Sequence, residues 1–316
     1  MLPHRPLSSP IRRLIALVAL GITGFSLYYY WDLIPLQYQP SRALPPTGIP
    51  KKIWYKLGPK GLSDEARNWT NTCTQKNPGY HAEFLTDASA DAWVRTTFSP
   101  SRPDIVETYL GLSVPILKAD FLRYLLLFAE GGMWADLDVS CGDVPIDDWL
   151  APRHRRDAAL VVGWEFDMGW GADVFHQLSS WVVLARPGSP HMMGVIEDIV
   201  DELRGIAREY GVSIAGVTMS MVQDVVDLTG PRRLTRSVFR SLQRTLGLSD
   251  DEFVLVEEST WWLREPRLVG DILFLPGFSF ASSMNTYDEE THDLGQVLVE
   301  HHYAGSWKNE NGGEQA

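Results

Sequence analysis

Cysteine is nearly absent from this chain: Cys73 and Cys141 are the whole complement in 316 residues. That excludes a disulfide-built scaffold, and the two residues lack the spacing of a zinc site. They are left to form one bridge or to stay two separate buried thiols, because sequence does not give their distance. Positive charge is also short. Lys and Arg number 28 against 40 Asp and Glu, giving a formal net charge of −12 and a pI near 5.1. Nucleic acid, whose phosphates need a basic face, is thereby excluded as a partner, and the surface does not seek anionic lipid. There is no internal repeat. What is present is a hydrophobic content of 45%, enough for one substantial core and incompatible with a disordered chain.

One run is long and free of charge. Leu14 to Trp31 covers 18 residues between Arg5, Arg12 and Arg13 on one side and Asp32 on the other. As a helix it rises about 27 Å, enough for a thin bilayer. The arginines place residues 1–13 in the cytosol and the C-terminal bulk in a lumen. Tyr28, Tyr29, Tyr30 and Trp31 supply an interfacial aromatic belt, and no small-residue cleavage site follows them. The competing reading is a cleaved signal peptide with Leu14 to Gly24 as its apolar region. Residues 14–31 are therefore expected as an anchor. Residues 32–48, rich in proline from Pro35 onwards, are expected as a semi-extended stem. A globular domain should fill 49–310, with 311–316 as a disordered tail. Asn68-Trp69-Thr70 is an acceptor sequon for N-glycosylation, in keeping with a lumenal domain.

Within the domain, Lys52 to Leu57 reads as a first strand, and residues 63–74, 88–98 and 104–110 read as helices. Ala159 to Trp164 and Ser180 to Leu184 are apolar runs of buried-strand length, closed by a turn at Pro187-Gly188. Ser189 and Pro190 then open a long amphipathic helix that runs towards Tyr210. A further helix is expected over 233–246, with late strands at 253–256 and 272–275. Strands alternating with helices imply an α/β sheet with a ligand at its strand ends.

The densest chemistry lies in ILKADFLRYLLLFAEGGMWADLDV, residues 116–139. Its first part is apolar on nearly every side, so the helix should be buried, with Asp120 and Arg123 three residues apart on one face. Gly131 and Gly132 stop it. A short strand ending in Asp136-Leu137-Asp138 would turn both carboxylates to one side, where their mutual repulsion calls for a hard divalent ion such as Mg²⁺ or Mn²⁺ and, beside it, a diphosphate. Taken singly, D-x-D arises by chance in an acidic chain and D-x-x-R is ordinarily a surface ion pair. Together and in order, inside apolar surroundings, they read as a site.

These residues resemble glycosyltransferase family 32, and within it the fungal initiation-specific alpha-1,6-mannosyltransferases. The likeness runs through Ile49-Pro50-Lys51, the LKADFLRY to DLD string, GWEFD at 163–167, Trp181 with ARPGSP after it, Thr229-Gly230-Pro231, and HHYAGSWK at 301–308. The chain departs from the family at Trp54, where histidine is usual, at Leu57, where tryptophan is usual, and at Arg232, which stands in place of a second glycine.

The resemblance implies a GT-A-type nucleotide-sugar-binding sheet with helices on both faces, behind one N-terminal transmembrane helix. It also implies a single-pass type II protein of the Golgi membrane. The implied reaction moves mannose from GDP-mannose, with Mn²⁺ or Mg²⁺, to a mannose-bearing N-glycan, in the setting of a Golgi mannosyltransferase complex. Asp138 is then the direct metal ligand, Asp136 lies nearer the ribose or sugar and reaches the metal through water, and His302 completes the metal set in preference to His301. Asp120 accepts from sugar hydroxyls, Arg123 holds a phosphate or sugar oxygen, and Ser306 and Trp307 contact the diphosphate. Glu165 and Asp167, at a strand end, face the donor sugar or the acceptor. Because donor and product are both alpha-linked in the family, configuration is retained, the departing diphosphate can take the acceptor proton, and no dedicated base is named. Two rival readings are a mannosyltransferase acting on inositol phosphoceramide and a non-catalytic subunit that binds sugar nucleotide.

Overall fold

Side-chain alternation along β1 (Lys52–Lys56) sends Trp54 into one apolar cluster and Ile53 and Tyr55 into another. The strand is thus a divider between two cores, one on each face of the sheet. The computed structural model describes residues 48–170, 174–287, 295–305 and 307–313, all within the unit Leu44–Ala316. The expected anchor at 14–31 and Ser306 lie outside the described residues, as does all of the stem but Gly48. Among the described residues no helix is long and apolar enough to cross a membrane.

The chain continues through α1 (Asp64–Lys76), β2 (His81–Leu85), α2 (Asp87–Phe98), α3 (Pro103–Gly111), α4 (Pro115–Ala129), β3 (Gly132–Ala135), β4 (Val139–Cys141) and the short α5 (Pro152–Arg155). Next come β5 (Leu160–Phe166), β6 (Gln177–Leu178), β7 (Val182–Ala185), α6 (Pro190–Glu209), α7 (Val225–Leu228) and α8 (Pro231–Leu246). The rest is α9 (Asp250–Glu258), β8 (Arg267–Val269), β9 (Ile272–Leu275), α10 (Gly277–Ala281) and β10 (Val299–His301). The main sheet has the order β2-β1-β3-β7-β5-β9-β8, with β6 added to β5. Pairing is parallel for β2-β1-β3 and β5-β9 and antiparallel around β7. This is a mixed α/β sheet. The larger core, under α2, α3, α4, α6 and α8, lies on one face; the smaller one, holding Cys73 of α1 and Phe280 of α10, lies on the other.

Most of the expected elements are present, and the differences have local causes. Residues 253–256 are helical rather than extended. Ser249 and Glu252 form a capping box, three acidic residues occupy the first turn, and only Phe253 of the apolar run is buried, with Val254 and Leu255 exposed. Asp136-Leu137-Asp138 does not continue a strand: β3 ends at Ala135 and the triplet is a turn leading into β4, with the Val139 amide donating to the Asp136 carbonyl at 3.2 Å. Of the two glycines expected to stop α4, Gly131 takes the left-handed geometry (φ +67°) and Gly132 opens β3. Residues 311–313, expected in a tail, are tied down, since the Gly312 carbonyl accepts from the Ile116 amide at 2.9 Å. Cys73 and Cys141 are joined in a disulfide between α1 and β4.

Candidate active site

β4 and β10 pair antiparallel with Val139 opposite His301. That register sets His301 beside Asp138, and the alternation of an extended chain sends His302 the other way. His301 Nε2 lies 3.2 Å from Asp138 Oδ1, while His302 stacks on Trp69 at 4.5 Å and approaches the Ser140 hydroxyl at 2.9 Å. The histidine that joins the carboxylates is therefore His301 and not His302, which touches the site only through its backbone amide, donated to the Asp138 carbonyl at 2.8 Å. Asp136, Asp138 and His301 each bring a ligand atom within 4.8 Å of the others, and all three are partly exposed.

Behind this trio, α4 carries Asp120 and Arg123 into a buried position on both counts of sequence and packing. The guanidinium fork spans two carboxylates, Nη1 to Asp120 Oδ1 at 2.8 Å and Nη2 to Asp136 Oδ1 at 3.1 Å. Asp136 Oδ1 also accepts from the Trp134 indole at 2.7 Å, and Asp120 Oδ2 accepts from the Thr229 hydroxyl at 2.9 Å. Arg123 thus acts on Asp136 as a positioning group and is held in turn by Asp120. Burial pushes both Asp120 and Asp136 above the usual carboxylate range, against the pull of Arg123. Asp138 moves the opposite way: its burial is outweighed by the hydrogen bond from His301, with the Ala304 amide adding a bond at 2.9 Å. The site holds three carboxylates and one guanidinium, which pairs with Asp120 and Asp136 only, so negative charge is in excess.

The group fits a hard divalent ion. Two carboxylates and an imidazole are the ligand types that suit Mn²⁺ or Mg²⁺, and His301 Nδ1 is buried with no hydrogen-bond partner among the described residues.

Glu165 near the end of β5 and Asp167 just past it stand at the strand end, as expected, but do different things. Glu165 is buried, accepts from Gln177 Nε2 at 2.6 Å, and has its carboxyl pushed up to about 7 by burial. Asp167 is turned inward. Its Oδ1 accepts from the Trp262 amide at 2.8 Å and lies 3.2 Å from His176 Nδ1. Trp307 packs partly buried against the larger core, with the Lys308 ammonium 5.8 Å above its ring.

Trp181 escaped notice as a site residue, although it stands in the stretch that carried the resemblance. Its ring stacks on His301 at 4.3 Å and its carbonyl accepts from the Asp136 amide at 2.9 Å. The departures from the family pattern are likewise explained locally. Trp54 is fully buried and donates to the Gly131 carbonyl at 2.8 Å, fixing the end of α4. Arg232 lies in the first turn of α8 and pairs with Asp224 and Asp227 at 3.0 and 3.1 Å.

Comparison with known sequences bears on this site: residues 63–154 match the family model for a glycosyltransferase sugar-binding region containing a DXD motif. That span holds Asp120, Arg123, Asp136 and Asp138. The chain is 30% identical over 273 residues to the initiation-specific alpha-1,6-mannosyltransferase of Schizosaccharomyces pombe, covering 83% of this chain and 64% of that one. It is 28% identical over 288 residues to the protein of the same description from Candida albicans, covering 83% and 73%. The resemblance to the fungal mannosyltransferases thus extends over most of the chain, which spans 64% and 73% of these relatives' lengths. Among solved structures, PaToxG glycosyltransferase aligns with a TM-score of 0.43 at 16% identity, covering 79% of this chain and 85% of that one.

Proposed function

We propose that the chain is a metal-dependent mannosyltransferase of GT-A type that transfers mannose from GDP-mannose to a mannose-bearing N-glycan in alpha-1,6 linkage with retention, while anchored in the Golgi membrane by residues 14–31. The observation that carries the chemistry is the convergence of Asp136, Asp138 and His301 on one point in front of the Arg123–Asp120 pair. Mannose, the acceptor class and the linkage rest on the likeness to the fungal mannosyltransferases.

Asp138, Asp136 and His301 would hold the cation. Bound there, it supplies charge neutralisation for a diphosphate as its bond to the sugar breaks. The chain's own residues prepare the place. Arg123 fixes the rotamer of Asp136 and opposes the upward push of burial on its carboxyl, Asp120 and Thr229 fix Arg123, and Trp181 holds His301 by its ring and Asp136 by its carbonyl. Three carboxylates against the single Arg123 guanidinium leave negative charge in excess, which favours binding of a divalent ion over an empty site.

The test is Mn²⁺-dependent release of GDP from GDP-mannose by the full chain. Asp138→Ala should abolish it while far-UV circular dichroism and thermal unfolding in chelator stay as in the parent. Retained turnover in the variant would remove the metal-ligand role.

A further inference from the structure

Both exposed tryptophans among the described residues stand at the C-terminal end of β5, Trp170 with its ring against Phe166 and Trp262 with its amide on Asp167, and exposed Phe175 directly precedes His176, whose ring meets that of Trp262. Large aromatic rings do not ordinarily face water together on one strand end. Trp262 is the most open of the three at 58% exposure, and it is held there rather than left there. Its backbone is in the left-handed region (φ 53°), a conformation that a bulky residue adopts only when its surroundings impose it. The imposing groups are visible. Asp167 takes the Trp262 amide hydrogen at 2.8 Å, the neighbouring Trp261 ring lies flat on His176 at 4.3 Å, and the Thr260 carbonyl accepts from the Trp164 indole at 2.7 Å. Three successive residues are thus clamped to the strand end, and the outcome is a fixed Trp262 whose side chain is presented to solvent.

The geometry points to Trp262 as the stacking platform for a sugar ring of the acceptor oligosaccharide. A pyranose offers a patch of C–H groups on one face and hydroxyls around its edge. The negative face of an indole attracts the polarised C–H groups, and a rigid aromatic does so at little cost in conformational entropy. Continuity with the site supports an acceptor sugar as the occupant: β3, which ends just before Asp136, and β5, which ends just before Asp167, both run antiparallel to β7, so the carboxylate pair and the residue that holds Trp262 leave the same edge of the sheet. An anionic membrane is a poor occupant for a chain of net charge −12. Asp167 is on this account a positioning residue for the acceptor side, not a donor contact. The inference deepens the mannosyltransferase reading and rests on it for the identity of the sugar.

Two measurements separate the inference from that reading. The first is saturation-transfer NMR of a linear alpha-mannotriose against the detergent-solubilised full chain, without donor. Ring C–H signals should appear with the parent, vanish with Trp262→Ala and return with Trp262→Phe. No signal from the parent, or an undiminished one from Trp262→Ala, overturns the platform whatever the activity. The second is transfer kinetics with GDP-mannose, where Trp262→Ala should raise the KM for the acceptor at least tenfold and leave GDP release in its absence unchanged. An acceptor KM within twofold of the parent overturns the platform, whereas a parent that releases no GDP refutes the proposed function and leaves the NMR result to stand alone. Loss in Trp262→Ala of a protein or vesicle interaction, with no oligosaccharide bound by the parent, also counts against it.

Discussion

Glu165 is the residue whose environment most changes its chemistry. Its ordinary pKa near 4.5 rises to about 7 because burial disfavours the ionised form more than Gln177 and the nearby cations favour it. A carboxyl with a raised native pKa binds its proton more tightly in the folded chain than in the unfolded one. Its contribution to stability is therefore complete below about pH 4.5 and is lost as pH rises to about 7, a change of roughly 3 kcal/mol at most. Thermal unfolding followed from pH 4.5 to 7 without divalent ions should fall less steeply for Glu165→Gln than for the parent; equal slopes would show that the carboxyl is not so shifted. At the same scale, the residues of the site were legible to different degrees. Asp120 and Arg123 could be placed together because helical spacing is fixed, and their burial followed from the apolar residues around them. The preference for His302 over His301 was mistaken, since it depends on a one-residue register between β4 and β10, segments separated by well over a hundred positions.

At the scale of elements, the junction from α4 to β3 decides where the carboxylates stand. Gly131 has φ +67°, and a Cβ there would lie 2.6 Å from Pro187 Cδ and 2.7 Å from the Ala185 carbonyl oxygen. Gly131→Ala should destabilise the fold by about 2 kcal/mol or more, read by denaturant unfolding, and should weaken Mn²⁺ binding as Asp136 shifts with β3; an unchanged unfolding midpoint would contradict this. Elements with a strong local signal were readable from sequence, as with the Ser189-Pro190 start of α6 and the apolar β5, β7 and β9. α9 was misread because Phe253 to Val256 is a short apolar run, and the capping box at Ser249 and Glu252 that makes it helical weighs more than its hydropathy. The DLD turn was misread because alternation was extended past Ala135, where the sheet pairing with β7 stops.

Over the whole molecule, the Cys73–Cys141 bridge ties α1 to β4 across 68 positions. On a chain-entropy account its loss costs about 4 kcal/mol, so Cys73→Ser should lower the unfolding temperature and, because β4 adjoins Asp138, loosen the cation site as well. Denaturant unfolding and Mn²⁺ titration of that variant check both parts. The charge-free run at 14–31 leads to the further expectation that the full chain stays with membranes through carbonate extraction, and its release to the supernatant would favour cleavage. The central claim is that Asp136, Asp138 and His301 form one divalent-cation centre, and it is tested most directly by paramagnetic resonance of free Mn²⁺ titrated with the chain and GDP. The account predicts one bound Mn²⁺ in the parent, affinity lowered at least tenfold in His301→Ala, and affinity unchanged in His302→Ala. A parent that leaves Mn²⁺ free, or a loss confined to His302→Ala, would contradict it.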